Sequence, residues 1–173
     1  KEFNKQCQPR EGYCKNHQRF VPVELLDVAG LVPDAHLGKG KGNQFLNDLN
    51  QADVLIHVVD ISGSVNVQGE PVEPLSYDPA NDIRFLEVEL DMWYVGIIKR
   101  GWDKFARQVQ QEKTKVSRAI AKQLSAVRVT EGLVDDALKE FALVPEHVTK
   151  WTDDDLKKLA AYFRKKTKPM IIA

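Results

Sequence analysis

Cysteine is scarce in this chain. Cys7 and Cys14 are the two in 173 residues, too few for the dense disulfide framework of a small secreted domain. A reducing, cytoplasmic setting is the expectation. Long apolar runs are missing too. None approaches the roughly 18 residues of a membrane helix, and the longest, such as 54–59, have strand length. Neither sign of charge is in excess, since 25 Lys+Arg meet 25 Asp+Glu for a net charge of +0. That excludes a uniformly basic nucleic-acid coat and an acidic solvating tail, and leaves local patches open. There is no internal repeat and no low-complexity tract. No Gly-Lys-Ser/Thr occurs, so the chain carries no phosphate loop of that type. What is present, 43% hydrophobic and 29% charged residues, is globular composition for one domain, or a small domain with an appendage.

The order of patterns predicts an α/β chain. Residues 1–18 are polar and read as a loop. Residues 20–28 are β-rich and mostly apolar, and predict a buried strand with Pro22 near its start or edge. A glycine-bearing loop follows over 29–43, then a short helix over 44–51 and a second apolar strand over 53–60. Strand, loop, helix and strand in this order predict a βαβ unit and a parallel sheet. After a loop over 61–77 the period changes. Asp78-Pro79 predicts a helix start, Ile83, Leu86, Leu90, Trp93 and Ile97 share one helical face, and Gly101 predicts a left-handed cap. Trp102, Phe105, Val109, Val116 and Ala119 follow a seven-residue spacing interrupted at Glu112, which suits an antiparallel helical hairpin or short coiled coil. Thr130 predicts another cap, and Thr152 with Asp155 a capping box. The tail Lys168-Pro169-Met170-Ile171-Ile172-Ala173 reads as a strand entering a core. With Lys1 as first residue, the expectation is an internal segment of a longer protein.

Charge segregates along the chain. Lys99, Arg100, Lys104, Arg107, Lys113, Lys115, Arg118, Lys122 and Arg128 face only Asp103 and Glu112, whereas 70–91 is strongly acidic. Two readings stand: solvated helix faces that attract each other across a hairpin, or a basic arm for RNA phosphates with Lys113, Lys115 and Arg118 as contacts.

The chemistry concentrates after the first predicted strand. Asp27 lies at its C-terminal end with Gly30 three residues on. That is the edge of an open parallel sheet where nucleotide phosphates bind. A carboxylate there can hold Mg²⁺ through water, and a glycine lets the backbone approach a terminal phosphate. Gly38-Lys39-Gly40-Lys41-Gly42-Asn43 is no dinucleotide fingerprint, because its third glycine arrives one residue early. Cys7, Cys14 and His17 are metal-ligand types without standard zinc spacing. His57, within an apolar strand, reads as a hydrogen-bonded core histidine. Trp93, Trp102 and Trp151 fit helix packing better than base stacking.

The run Asp27-Val28-Ala29-Gly30-Leu31, then Ala35-His36, Gly38, Gly40, Gly42-Asn43 and Phe45-Leu46, followed by Leu55-Ile56-His57-Val58-Val59-Asp60, resembles the Obg/YchF family of P-loop GTPases. Ala29 and Asn43 resemble the YchF (Obg-like ATPase) branch. Gly101-Trp102-Asp103-Lys104-Phe105 and the 168–173 tail resemble its archaeal-type and eukaryotic-type members. The resemblance covers nearly the whole chain and is most specific over 19–60. It implies a partial G domain with a parallel sheet at 1–63, a helical, coiled-coil-like insertion at 64–166 and a returning strand at 167–173. It implies nucleotide contacts at Asp27, Val28, Ala29 and Gly30, with Asp27 linked to Mg²⁺ and Gly30 sensing the γ-phosphate. It implies a switch loop holding Leu31, His36, Gly38, Gly40, Gly42 and Asn43, with Leu31 where many GTPases carry a water-positioning Gln.

The phosphate loop is then expected before Lys1, and the base-reading motif that separates GTP from ATP after Ala173. The first-switch Thr is missing as well, since no Thr precedes Thr114. The 173 residues alone are expected to be inactive. Two functions follow: an Mg²⁺-dependent NTPase switch linked to the ribosome, or a non-enzymatic RNA- or ribosome-binding module built on the basic arm.

Overall fold

The computed structural model describes residues 8–28, 35–37, 48–49 and 51–173. The loop residues Ala29, Gly30, Leu31, Gly38, Gly40, Gly42 and Asn43, and Cys7, lie outside them.

β1 (Tyr13–Lys15) and β2 (Gln18–Phe20) form an antiparallel hairpin. Its two turn residues, Asn16 and His17, both have positive φ, 51° and 64°, the handedness that matches strand twist in a two-residue turn. The paired Tyr13 and Phe20 rings stack at 4.8 Å.

The buried strand expected over 20–28 is not formed. Regular pairing stops at Phe20, and 21–28 run without strand assignment. Val21, Val23, Leu25 and Leu26 are exposed, Val23 to 81%. No ladder lies alongside them among the described residues, so they have no layer to pack on.

The parallel pairing is between β3 (Leu55–His57) and β4 (Met170–Ile172), with Leu55 opposite Met170 and His57 opposite Ile172. The strand expected at the 168–173 tail is thus formed over Met170–Ile172 and pairs with β3, while the one expected at 20–28 is not formed. Leu55 N–H donates to Pro169 O at 2.9 Å, and Ala173 N–H to His57 O at 2.9 Å. Lys168, 1% exposed, adds an Nζ bond of 2.7 Å to Ala52 O.

Between these strands lie α1 (Ala80–Lys99), α2 (Trp102–Gln111), α3 (Val116–Gln123), α4 (Glu131–Glu140) and α5 (Asp153–Thr167). Local chemistry sets their ends. The Asp78 carboxylate accepts Ala80 N–H at 2.9 Å, and Gly101, at φ 71°, turns the chain from α1 into α2. Thr130 accepts from Leu133 N–H, and Thr152 and Asp155 form the reciprocal capping box.

The seven-residue spacing of 102–119 is divided between α2 and α3, because the chain leaves the helix around Lys113, at φ 50°. α2 then lies against the 3-10 turn Pro145–Lys150, α3 against α4, and α1 against α5. The result is a helical bundle around Tyr94, Ile120, Leu124, Val134, Leu159 and Phe163. On α1 the buried side is turned toward Leu90, Tyr94, Val95 and Ile98, while Ile83, Leu86, Trp93 and Ile97 are half-buried. Trp102 stacks on Trp151 within this bundle, at 5.8 Å.

Candidate functional site

α1 organises the surroundings of the loop that carries the motif. Leu90 and Leu49 are each 1% exposed and pack together, with Val28, Leu55, Leu86 and Trp93 against them. Val28 thereby fixes the end of the 21–28 segment beside α1, and leaves the neighbouring Asp27 exposed. The helix also reaches the 3-10 turn Ala35–Leu37, where Ala35 is 1% exposed. One carboxylate makes that attachment. Glu89 Oε2 accepts the His36 backbone N–H at 3.1 Å and lies 2.6 Å from His36 Nδ1. Both side chains are largely enclosed, His36 15% and Glu89 8% exposed.

Glu89 was missed at the level of sequence. A signal existed: it sits three residues after Leu86 and four before Trp93, on the apolar stripe of α1. An acid on such a stripe has to meet a donor when buried.

A second cluster lies where β3 ends. Asp60 Oδ1 accepts from the N–H and hydroxyl of Ser62, and Oδ2 from those of Ser64. The two hydroxyls, more than anything else, hold the Asp60 carboxyl down at about 2. Tyr77 O–H donates to Asp82 Oδ1 at 2.7 Å, and lost hydration together with that carboxylate pushes the phenol up to about 12. His57 is half-buried, and among the described residues its Nδ1 meets no hydrogen-bond partner, where a hydrogen-bonded core histidine was expected. Burial lowers its pKa, with Asp82 pulling the other way.

The basic stretch finds partners other than those expected. Lys115 Nζ lies 2.8 Å from Asp135 and 2.9 Å from Glu131, and Arg118 Nε lies 3.3 Å from Glu131. Hydrogen bonds to Asp135 and then Glu131 raise the Lys115 pKa. Lys99 pairs with Asp153 and Arg128 with Asp53. The acidic stretch answers elsewhere: Asp91 and Glu87 meet Arg164, whose side chain is 4% exposed. Attraction between the two stretches across a hairpin is therefore not how these charges are satisfied. Lys113 is exposed.

Cys14 lies in β1 and His17 at the hairpin turn. Among the described residues no group of three His, Cys, Asp or Glu side chains is placed to hold a metal ion. Among them no helix is long and apolar enough to cross a membrane.

Residues 7–88 match the family described as 50S ribosome-binding GTPase. Over these residues the chain is similar to this class of GTPases, in agreement with the resemblance carried by 27–60. An uncharacterized GTP-binding protein of Methanocaldococcus jannaschii is 47% identical over all 173 residues, which cover 42% of that protein. One of Schizosaccharomyces pombe is 37% identical over 96% of this chain and 40% of its own length. The ribosome-binding ATPase YchF of Buchnera aphidicola is 32% identical over 50% of this chain and 23% of its own length. Among solved structures, a GTP-binding protein from Pyrococcus horikoshii superposes with a TM-score of 0.78 at 38% identity, over 96% of this chain and 44% of that one. The chain thus spans less than half the length of these relatives.

Proposed function

We infer that this chain is the switch-bearing part of a cytoplasmic protein that binds and hydrolyses GTP and works with the ribosome. The observation that carries the reading is the attachment of two motif segments to one helix. Val28 packs beside Leu49 and Leu90, and the Ala35–Leu37 turn is tied to Glu89. The segments at Val28 and at Ala35–Leu37 are thus both fixed to α1, and γ-phosphate contacts would order and release the stretch between them. Guanine is favoured over adenine because the relatives similar over nearly the whole chain are named as GTP-binding.

The residues present suit Mg²⁺. This ion needs one or two carboxylates and keeps several waters, and Asp27 offers an exposed carboxylate beside a helix-anchored Val28. Asp27 would hold the ion through water. When bound, Mg²⁺ supplies charge neutralisation on the phosphates. Ala29 and Gly30 supply backbone N–H groups to the terminal phosphate, and 31–43 respond to its loss. Ribosomal RNA phosphates are the contacts assigned to Lys113, Lys115 and Arg118. Engaging them replaces the Glu131 and Asp135 carboxylates, so affinity should fall steeply with salt.

Titration calorimetry on the intact protein tests this reading. GTP with Mg²⁺ should bind at least about tenfold more tightly than ATP, and Asp27→Ala should abolish Mg²⁺-dependent turnover. Tighter ATP binding would overturn the base assignment, and unchanged turnover the role of Asp27. The 173-residue chain alone, holding no Gly-Lys-Ser/Thr, should bind neither nucleotide in the micromolar range.

A further inference from the structure

α2 has two unlike sides. Trp102, Ala106 and Val109 are buried on the inner one. The helix is fastened by Trp102 against Trp151 and by Gln110, which donates to Glu146 O at 3.3 Å and accepts from Thr149 Oγ1 at 3.0 Å. Helical spacing places Lys104, Arg107, Gln108 and Gln111 together on the opposite side, and all four are exposed. Arg100 lies just before this face and Lys113 just after it.

The cations of this face are available. Among the described residues Arg100, Lys104, Arg107 and Lys113 meet no carboxylate, whereas Lys99, Lys115, Arg118 and Arg128 each stand in an ion pair. Arg107 Nε donates to the Asp103 backbone oxygen at 3.0 Å. That bond orients the guanidinium and leaves its two terminal nitrogens for a phosphate, which Arg grips with a planar fork. Of the acids nearby, Glu112 is held by Gln108 Nε2 at 2.8 Å, and Asp103 stands beside the stripe.

The make-up of the face selects its partner. Protein interfaces centre on apolar and aromatic anchors, and a membrane surface needs an apolar side to insert. α2 turns Trp102 and Phe105 toward the bundle and offers Lys, Arg and Gln outward. Nucleic-acid interfaces are polar and cationic in this way. We propose that the outer face of α2 is a landing site for the phosphate backbone of an RNA duplex, with Lys104 and Arg107 at its centre and Arg100 and Lys113 at its ends. This rests on the reading of the chain as a ribosome partner. These cations engage phosphate without first leaving a carboxylate, as Lys115 and Arg118 must. The contacts fix position without reading sequence, and the Gln amides can donate to 2′-hydroxyls.

Fluorescence anisotropy of the intact protein with a labelled RNA duplex of about 16 base pairs, over a salt series, tests the site. Lys104→Ala and Arg107→Ala should each weaken binding about fivefold and make the plot of log K against log salt shallower by about one. The double variant should lose about 25-fold. Arg107→Lys keeps the charge, so it should keep the slope while losing affinity. Arg118→Ala should lose less than Arg107→Ala, and Lys139→Ala, an exposed cation on α4, should change neither affinity nor slope.

Wild-type affinity and slope in the Lys104→Ala, Arg107→Ala double variant, or an equal loss in Lys139→Ala, would overturn the α2 site alone. Polyglutamate displacing the duplex at equal charge concentration would overturn RNA as the partner in favour of an acidic protein. A wild-type protein that binds neither the duplex nor ribosomal subunits would overturn the ribosome reading itself, and the site with it.

Discussion

At the scale of the residue, Asp60 shows what one carboxylate can do for a turn. Four donors from Ser62 and Ser64 meet it, and its carboxyl is held at about 2 against an ordinary 3.8. A carboxyl depressed in the folded state contributes stability above its unfolded value and loses it as pH falls through the folded one. The stability gap between wild type and Asp60→Asn should therefore be constant above about pH 5 and close between about 4 and 2, as read from urea midpoints. Nearby, Gly63 has φ 59°, and a Cβ on it would meet the Tyr77 carbonyl oxygen at 2.2 Å. Gly63→Ala should cost about 2 kcal/mol and lower the thermal midpoint by several degrees. Ala at Gly69, φ 79° with nothing within 4 Å, should cost less.

At the scale of the element, helix boundaries were legible because they are written in neighbouring residues. Thr130 caps α4, Thr152 and Asp155 box the start of α5, and Gly101 separates α1 from α2. Thr152→Ala should cost about 1 kcal/mol, seen as a shift of the urea midpoint at constant slope. Leu159→Ala, deep in the bundle at 1% exposure, should cost about 3 kcal/mol by the same measurement. What was not legible depends on partners far along the chain. Glu89 and His36 are 53 residues apart, and Arg164 finds Asp91 at a separation of 73. An acid at 89 or 91 looks alike in a pattern, since only the fold decides which one meets a turn and which a buried guanidinium. The stretch 21–28 failed for the same reason. Its apolar residues were expected in a buried strand and are exposed, because a strand needs a neighbour and periodicity does not name one. The motif Asp27 to Asn43 was legible as a motif, whereas its attachment to α1 was not.

At the scale of the whole molecule, the helical bundle is an excursion that returns to its starting point. Lys168 donates to Ala52 O across 116 residues of chain, and β4 settles in parallel beside β3. Closing a loop of that size in an unfolded chain costs about 5 kcal/mol of entropy. The three paired positions are poor compensation, because Ile56, Ile171 and Ile172 remain exposed. The order of events in folding follows from this. The bundle, with its buried core and mostly local helices, is expected to form first. In doing so it carries Met170 back to Leu55, and only then does the two-stranded ladder close. In stopped-flow kinetics Leu159→Ala should slow refolding, whereas Leu55→Ala should leave refolding nearly unchanged and speed unfolding. On that outcome the parallel pair would be a late zipper, with strand pairing waiting until the helices have folded.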